Sequence, residues 1–69
     1  MSTVKFSLAA ARVNAGLSQK EAAERLGISN KTLCSWENYQ THPSADMVQM
    51  ICDLYSIPYD QINFAQKSA

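Results

Sequence analysis

A cluster of hydrogen-bonding side chains lies in the middle of the chain, where a helix is predicted to begin after Ser29. Asn30, Lys31 and Ser35 fall on one face of that helix, opposite to its apolar residues. A carboxamide can bond adenine at two points, and a lysine ammonium can donate to the O6 and N7 atoms of guanine. The chemistry available on this face is therefore hydrogen bonding to the edges of bases.

A second polar group stands at the start of the preceding predicted helix. Gln19 and Lys20 follow Ser18 there, where free backbone amides and the helix dipole favour a phosphate oxygen. Asn38, at the end of the next helix, could hold a second phosphate. Each of these residue types is also ordinary on a solvated helix face, so the interpretation depends on the helices that position them.

Caps and apolar spacing mark the first two of these helices. An apolar face at the spacing i, i+3, i+4 and i+7 begins at Leu8 and ends at Gly16, which suits a left-handed helix end. A second helix is predicted over residues 19–26, after a capping box in which Ser18 and Glu21 bond each other's amides.

A three-residue break, from Gly27 to Ser29, separates the second predicted helix from the third. A connection this short forces a sharp crossing of the two helices, which is the helix-turn-helix arrangement. A fourth helix is predicted after Ser44 and a short fifth one near Pro58. No five residues alternate as a strand would. The expected fold class is therefore all-α, a compact five-helix bundle with a helix-turn-helix.

The length and apolar pattern limit what the chain can do. Its 69 residues suffice for one small domain, with an expected core over about residues 5–64 and a mobile tail over 65–69. A pocket of roughly 300 Å³ or more needs walls that few residues can supply, so an enzyme is not expected. No apolar run approaches the roughly 18 residues that span a bilayer, and no secretory signal is evident. We therefore expect a cytoplasmic protein with no membrane partner.

The charge is balanced overall but unevenly distributed. Residues 1–40 contain five basic and three acidic residues, a net charge of +2, whereas residues 41–69 contain one basic and three acidic residues, a net charge of −2. This asymmetry directs a polyanion toward the N-terminal half.

The sequence contains few other side chains that could bind a metal or act as nucleophiles. Cys34 and Cys52 form no CxxC motif, and His42 is the one histidine, so no metal site and no cofactor are expected. Both thiols are expected to be reduced; a redox effect through Cys34 stays open.

An apolar group near the C-terminus either covers the core or forms a two-fold dimer contact. Its members are Ile57, Tyr59, Ile62 and Phe64.

Short segments spread over nearly the whole chain form one pattern. They are Gly16-Leu17-Ser18-Gln19, Ala23, Leu26-Gly27-Ile28-Ser29, Leu33, Trp36-Glu37-Asn38 and Pro43-Ser44. In this order they resemble the XRE-type helix-turn-helix family of phage repressors and Cro proteins, over about residues 7–62. The resemblance implies a lambda repressor-like DNA-binding domain that usually docks on operators as a dimer. The resemblance and the helix pattern together assign seven positions to DNA contact. They are Gln19, Lys20, Asn30, Lys31, Thr32, Ser35 and Asn38.

Arg12 and Glu37 are charged residues on helix faces that are otherwise apolar. In the family, an Arg on helix one pairs with a Glu at the end of helix three, and these two residues match those positions. A charge on an apolar face must be paired and hydrogen-bonded, and a guanidinium fork suits a carboxylate. The resemblance therefore implies a structural ion pair that locks the first helix to the third.

Two residues depart from the family's pattern. Ala22 stands where the family usually has a large aliphatic residue, so Phe6 is a candidate to fill the core near helix two. Tyr39 stands where the family often has Gly, so either Tyr39 or Asn38 must adopt the left-handed conformation.

The function expected from these features is that of a sequence-specific regulator of transcription that binds double-stranded DNA. A phage- or prophage-type repressor in a bacterial or phage-infected cell, dimeric at least on DNA, fits the resemblance. The alternative is a protein–protein interaction module of the same fold, antitoxin-like or an adaptor, which the neutral charge, Cys34 and Tyr39 favour.

Overall fold

The computed structural model describes residues 5–64, and four α-helices make up most of them. The helices are α1 (Leu8–Asn14), α2 (Gln19–Leu26), α3 (Asn30–Glu37) and α4 (Ala45–Tyr55). A single 3₁₀ turn, Tyr59–Gln61, follows, and β1 (Phe6–Ser7) and β2 (Ile62–Asn63) form a two-stranded sheet. The tail expected to be mobile, 65–69, lies outside the described residues. Within 5–64, no helix combines the length and apolar character that a membrane crossing requires.

The fold is mostly helical, as expected, but the expectation of a fifth helix is wrong and a small two-stranded sheet is present. After Pro58, the chain makes one 3₁₀ turn, closed by a 2.9 Å bond from the Gln61 amide to the Pro58 carbonyl. Ile62 is already extended, and β2 pairs in parallel with β1, Phe6 opposite Ile62. Strands of two residues are too short to show an alternating pattern, so their pairing is visible only in three dimensions.

Each α-helix begins at a serine whose hydroxyl accepts a hydrogen bond from the amide three residues further on. The four serines are Ser7, Ser18, Ser29 and Ser44. At α2 the cap is a full capping box, with the Ser18 amide donating to Glu21 Oε1 at 2.9 Å. That backbone hydrogen bond, helped by the Ser18 hydroxyl, lowers the pKa of Glu21. The caps fix where α2 and α3 begin and so place the polar residues of their first turns.

The core lies between the helices and the small sheet. Its largest fully buried side chains are Leu8, Leu33, Ile51 and Tyr55. Ala22 is also fully buried, and α2 packs against both α3 and α4. Phe6, the residue expected to fill the space near α2, is half-buried in β1 and packs against the same core. A small residue on α2 is thus accommodated by close packing of the helices.

Tyr39, which follows the C-cap of α3, adopts the left-handed conformation with φ of 60°, whereas Asn38 has φ of −90°. The Tyr39 hydroxyl accepts a hydrogen bond from the Leu8 amide (3.3 Å) and donates one to the Asn63 carbonyl (3.0 Å). This side chain therefore ties the end of α3 to the start of α1 and to β2, a role that the sequence does not reveal.

Candidate nucleic-acid interface

An ion pair joins α1 to the end of α3. Arg12 Nε lies 2.7 Å from Glu37 Oε2, and Arg12 Nη2 donates to Glu37 Oε1 at 3.4 Å. Arg12 Nη1 also donates to the Leu17 carbonyl at 2.9 Å, and the Arg12 and Glu37 side chains are only 14% and 7% exposed. The two-point contact fixes the orientation of both planar groups and holds α3 at a set angle to α1.

The same carboxylate also binds α2. Gln19 Nε2 donates to Glu37 Oε1 at 3.0 Å, so three helices meet at one side chain. Sequence reasoning placed Gln19 beside DNA but did not find this bond. Gln19 and Glu37 are 18 residues apart on different helices, and no periodicity connects them.

The first two turns of α3 hold the residues expected to read bases, Asn30 and Lys31 in the first turn and Ser35 in the second. Asn30 and Lys31 are exposed, Ser35 is half-buried, and none of the three makes a side-chain hydrogen bond within residues 5–64. The opposite face of α3 holds buried Leu33 and Trp36 against the core. A solvent-facing turn with unoccupied donors and acceptors on a rigid helix can bind a polar surface.

The other predicted contact residues differ in how free their side chains are. Lys20 is exposed in the first turn of α2. Thr32 is half-buried, and its hydroxyl lies 2.9 Å from that of the N-cap Ser29, so it completes the cap. Asn38 is exposed, but its Nδ2 donates to Cys34 Sγ at 3.3 Å. Of these three residues, Lys20 is the one whose side chain makes no hydrogen bond within the part of the chain described.

The two cysteines, Cys34 and Cys52, lie in α3 and α4. Both are free, and the described residues contain no group of three potential metal ligands. Cys52 lines a shallow groove of about 510 Å³ between α4 and the 3₁₀ turn, beside Asp53. Burial, and then the Asp53 carboxylate, raises the pKa of Cys52, which keeps its sulfur protonated at neutral pH and therefore a weak nucleophile.

The apolar C-terminal group divides between the core and the surface. Ile57 and Ile62 are buried within the protomer, so for these two residues the structure favours the alternative in which they cover the core. Tyr59 is 64% exposed and stacks on Phe64, with ring centroids 5.5 Å apart. Within this group of four, exposed Tyr59 and half-buried Phe64 are the members that reach the surface of the described residues.

The fold and this surface define the class of the protein. Two capped helices, α2 and α3, are joined by a turn at the left-handed Gly27, and α3 shows its polar face to solvent. This is a helix-turn-helix domain, stabilised from behind by the ion pair and the buried indole.

Comparison with known proteins agrees with that class. The family model described as "Helix-turn-helix" matches residues 8–62. The HTH-type transcriptional regulator ImmR of Bacillus subtilis (strain 168) is 38% identical over 52 residues, which are 75% of this chain and 41% of that protein. The chain thus spans about two fifths of the length of that relative. No solved structure matches the chain significantly. The chain belongs to the XRE-type helix-turn-helix family, which confirms the resemblance seen in the sequence.

Proposed function

We propose that the protein is a sequence-specific regulator of transcription that binds double-stranded DNA through α3. The observation that carries this proposal is the first turn of α3, where Asn30 and Lys31 are exposed and without side-chain partners among residues 5–64. Asn and Lys are the side chains that bond adenine and guanine edges. Family membership and the regulator name of the Bacillus relative support the same function.

In the proposed complex, α3 enters the major groove with its N-terminal turn toward the bases. The start of α2 then faces a phosphate, to which Lys20 contributes a cation and the α2 amides contribute donors. The ion pair between Arg12 and Glu37 holds α3 at the angle that this docking requires. Occupation of a promoter by α3 excludes other proteins from it, so the mechanism is steric, as in a phage- or prophage-type repressor.

The proposed target is a palindromic operator bound by two copies of the chain. A two-fold dimer sets its two α3 helices about 34 Å apart, one turn of DNA, which matches two half-sites on one face of the duplex. The proposed place of action is the cytoplasm, where the DNA of a bacterium or an infecting phage is found.

The test is selection of bound sequences from a random duplex pool, followed by an Asn30→Ala, Lys31→Ala double variant. We expect the wild type to enrich a palindromic consensus and the double variant to lose the preference at the contacted positions. Each lost two-point base contact removes about 1–3 kcal/mol of discrimination. Gln49→Ala, an exposed polar change on α4, is the matched control and should keep the consensus.

Two outcomes would contradict the proposal. Either the wild type enriches no sequence, or the double variant selects the same consensus as the wild type. Circular dichroism melts of both variants check that a change in selectivity does not arise from unfolding, which is not expected because none of the three positions is part of the core.

A protein-interaction module is the second candidate function. The feature that favours it is the net charge of zero, which is low for a DNA-binding domain. Tyr39 and Cys34 no longer favour it, because the Tyr39 hydroxyl and the Cys34 sulfur are engaged within the fold. A protein partner bound elsewhere on the surface would keep its affinity in the Asn30→Ala, Lys31→Ala variant, whereas an operator would not.

A further inference from the structure

A shallow groove lies between α4 and the segment that follows it, away from the residues assigned to DNA. It has a volume of about 510 Å³ and is lined by residues of α4 and by residues 56–59. Val48, Ile57 and Pro58 contribute apolar side chains to it. None of the lining residues belongs to α2 or α3. A groove of this volume is within the range of sites that bind ligands, and it uses no residue proposed to bind DNA.

Asp53 places a negative charge on this groove that is unfavourable for α4 itself. It lies in the last turn of α4, where the helix dipole already has its negative end. A cation stabilises a helix at this end, yet the last turn of α4 contains no basic residue. Asp53 also forms no ion pair among residues 5–64. The charge of Asp53 is thus left without a counter-charge in the described fold.

The groups around Asp53 add acceptors and few donors. Gln49 Nε2 donates to Asp53 Oδ1 at 3.1 Å, whereas Asp53 Oδ2 accepts no hydrogen bond among residues 5–64. The two amides that follow α4 both donate to the Cys52 carbonyl, so the carbonyls of residues 53–55 accept no backbone bond within the described chain. Burial, and then the Asp53 carboxylate, raises the pKa of the Cys52 thiol in the same groove. This end of the groove therefore favours a cation that can donate hydrogen bonds.

The chemistry of the groove selects a cation with apolar surface. Residues 41–64 contain three aspartates and no lysine or arginine, so this half of the chain attracts positive charge. Within residues 5–64 no three potential metal ligands lie together, which disfavours a bare metal ion. Lysine and arginine side chains combine a charged head with an apolar stem, and they suit an acidic groove with apolar walls.

A second copy of this chain is a poorer occupant of the groove. A two-fold contact brings the same surface of both copies together. Such a contact centred on the groove would bring two Asp53 carboxylates to one interface, with no basic residue of residues 41–64 to separate them. The charge of the groove therefore favours a different protein as its partner.

We infer that this groove is a docking site for a segment of another protein that carries a lysine or arginine beside an apolar side chain. The cation pairs with Asp53 and with the carbonyl end of α4, and the apolar side chain lies against Val48 and Pro58. This inference goes beyond the proposed function and does not depend on it, because no lining residue comes from α2 or α3.

The first test selects binders from a displayed library of random dodecapeptides on the immobilised chain. Peptides that also bind Ala45→Trp are removed, because the indole occupies the groove from an exposed position that is not part of the core. We expect the remaining peptides to share a lysine or arginine close to an apolar residue. Their affinity, measured by fluorescence anisotropy, should fall as the salt concentration rises.

The second test removes the charge of Asp53 and keeps its shape. Asp53→Asn retains an oxygen that can accept the Gln49 bond and should weaken a selected peptide about fivefold. Glu24→Gln, which removes one exposed negative charge from α2, is the matched control and should keep the affinity. Thermal melts should show Asp53→Asn to be at least as stable as the wild type, since an anion leaves the negative end of a helix.

A peptide variant completes the comparison. Replacing the cation of the selected peptide by glutamine should weaken binding to the wild type, and Asp53→Asn should then cause no further loss, because the pair is already broken. Replacing the apolar residue by serine should weaken binding to the wild type and to Asp53→Asn equally.

Four results overturn the inference. They are a library that yields no peptide sensitive to Ala45→Trp, selected peptides without a cation, an affinity that Asp53→Asn leaves unchanged, and a self-association of the wild type that Ala45→Trp abolishes. The last result would assign the groove to a second copy. No DNA is present in these measurements, so they fail or succeed independently of the operator selection that tests the proposed function.

Discussion

At the scale of single residues, the Glu37 carboxylate is the group on which the helix-turn-helix depends. A nearly buried charge needs partners that replace water. Glu37 finds them in the Arg12 guanidinium and the Gln19 amide, from α1 and α2. The relation is reciprocal, because Arg12 also loses most of its water and, among residues 5–64, is paired with Glu37 and the Leu17 carbonyl.

We predict that Glu37→Ala lowers the free energy of unfolding by about 3–5 kcal/mol, because it leaves the Arg12 guanidinium without its counter-charge. Urea unfolding at neutral pH measures the loss. Glu24→Ala, an exposed glutamate on α2, is the matched control and should change stability by less than about 0.5 kcal/mol.

A double variant separates the lost pair from the lost packing. Arg12→Met combined with Glu37→Met removes both charges, so it should be more stable than Glu37→Ala alone. Equal stability of Glu37→Ala and the wild type would show that the pair contributes nothing to folding.

Tyr55 gives a second prediction at this scale. Its hydroxyl is buried and has no hydrogen-bond partner among residues 5–64, and burial, with a further contribution from Glu37, raises the pKa of Tyr55 to about 12. The neutral phenol is thus favoured in the folded state. Its contribution to stability is fully present below the ordinary value of 10.0 and is lost as the pH rises through about 12.

Tyr55→Phe should therefore weaken the loss of stability between pH 10 and 12 and leave stability at pH 7 equal or slightly higher, since it removes an unpaired polar atom. Denaturant unfolding at several alkaline pH values measures both effects. Tyr59→Phe, at an exposed tyrosine, is the control and should keep the alkaline loss. A marked destabilisation of Tyr55→Phe at pH 7 would indicate a hydrogen bond to that hydroxyl.

At the scale of elements, the helix starts could be predicted and the last elements could not. A serine cap is local chemistry, so Ser18 and Ser29 show in the sequence where α2 and α3 begin. The sheet depends on residues at opposite ends of the chain, Phe6 and Ile62, whose pairing has no local signal. The predicted helix near Pro58 is absent from residues 5–64 for the same reason, because Ile62 pairs with Phe6 in an extended conformation.

The candidate site divides in the same way. The exposed turn with Asn30 and Lys31 follows from the cap and the apolar face of α3, which were both readable. The bond from Gln19 to Glu37 was not, because it joins side chains of two helices whose crossing is set by packing. Spacing within one helix is predictable, whereas contacts between helices require the fold.

Two helix ends with a left-handed residue other than glycine give the prediction at this scale. Ser56 ends α4 with φ of 57°, and Tyr39 follows α3 with φ of 60°. Ser56 is exposed and uses no side-chain hydrogen bond within the described residues, so Ser56→Gly should raise stability by about 0.5–1 kcal/mol.

Tyr39→Gly should instead lower the free energy of unfolding. It relieves the same backbone conformation but removes the hydroxyl that binds the Leu8 amide and the Asn63 carbonyl, together with a half-buried ring. Thermal melts of the two glycine variants, compared with the wild type, measure the difference. A stabilised Tyr39→Gly would mean that the hydroxyl bridge does not contribute to folding.

At the scale of the whole molecule, the net charge bears on the assembly proposed on DNA. The chain has a net charge of zero, so one copy can neutralise few phosphates and should bind weakly. In the proposed complex, two copies on a palindrome would combine two α3 contacts and gain affinity through a shared interface. Among the described residues, the aromatic pair Tyr59 and Phe64 is the part of the predicted dimer contact that reaches the surface.

We therefore predict that Tyr59→Ser abolishes dimerisation on a two-half-site duplex but leaves the affinity for a single half-site unchanged. The serine removes an aromatic ring that is 64% exposed and so affects a partner more than the core. Val13→Ser is the matched control, since Val13 is 63% exposed but lies on α1. Analytical ultracentrifugation of protein with each duplex gives the stoichiometry. A dimer that survives Tyr59→Ser but is lost in Val13→Ser would place the interface on α1. A wild type that binds both half-sites without cooperativity would show that the two copies make no contact.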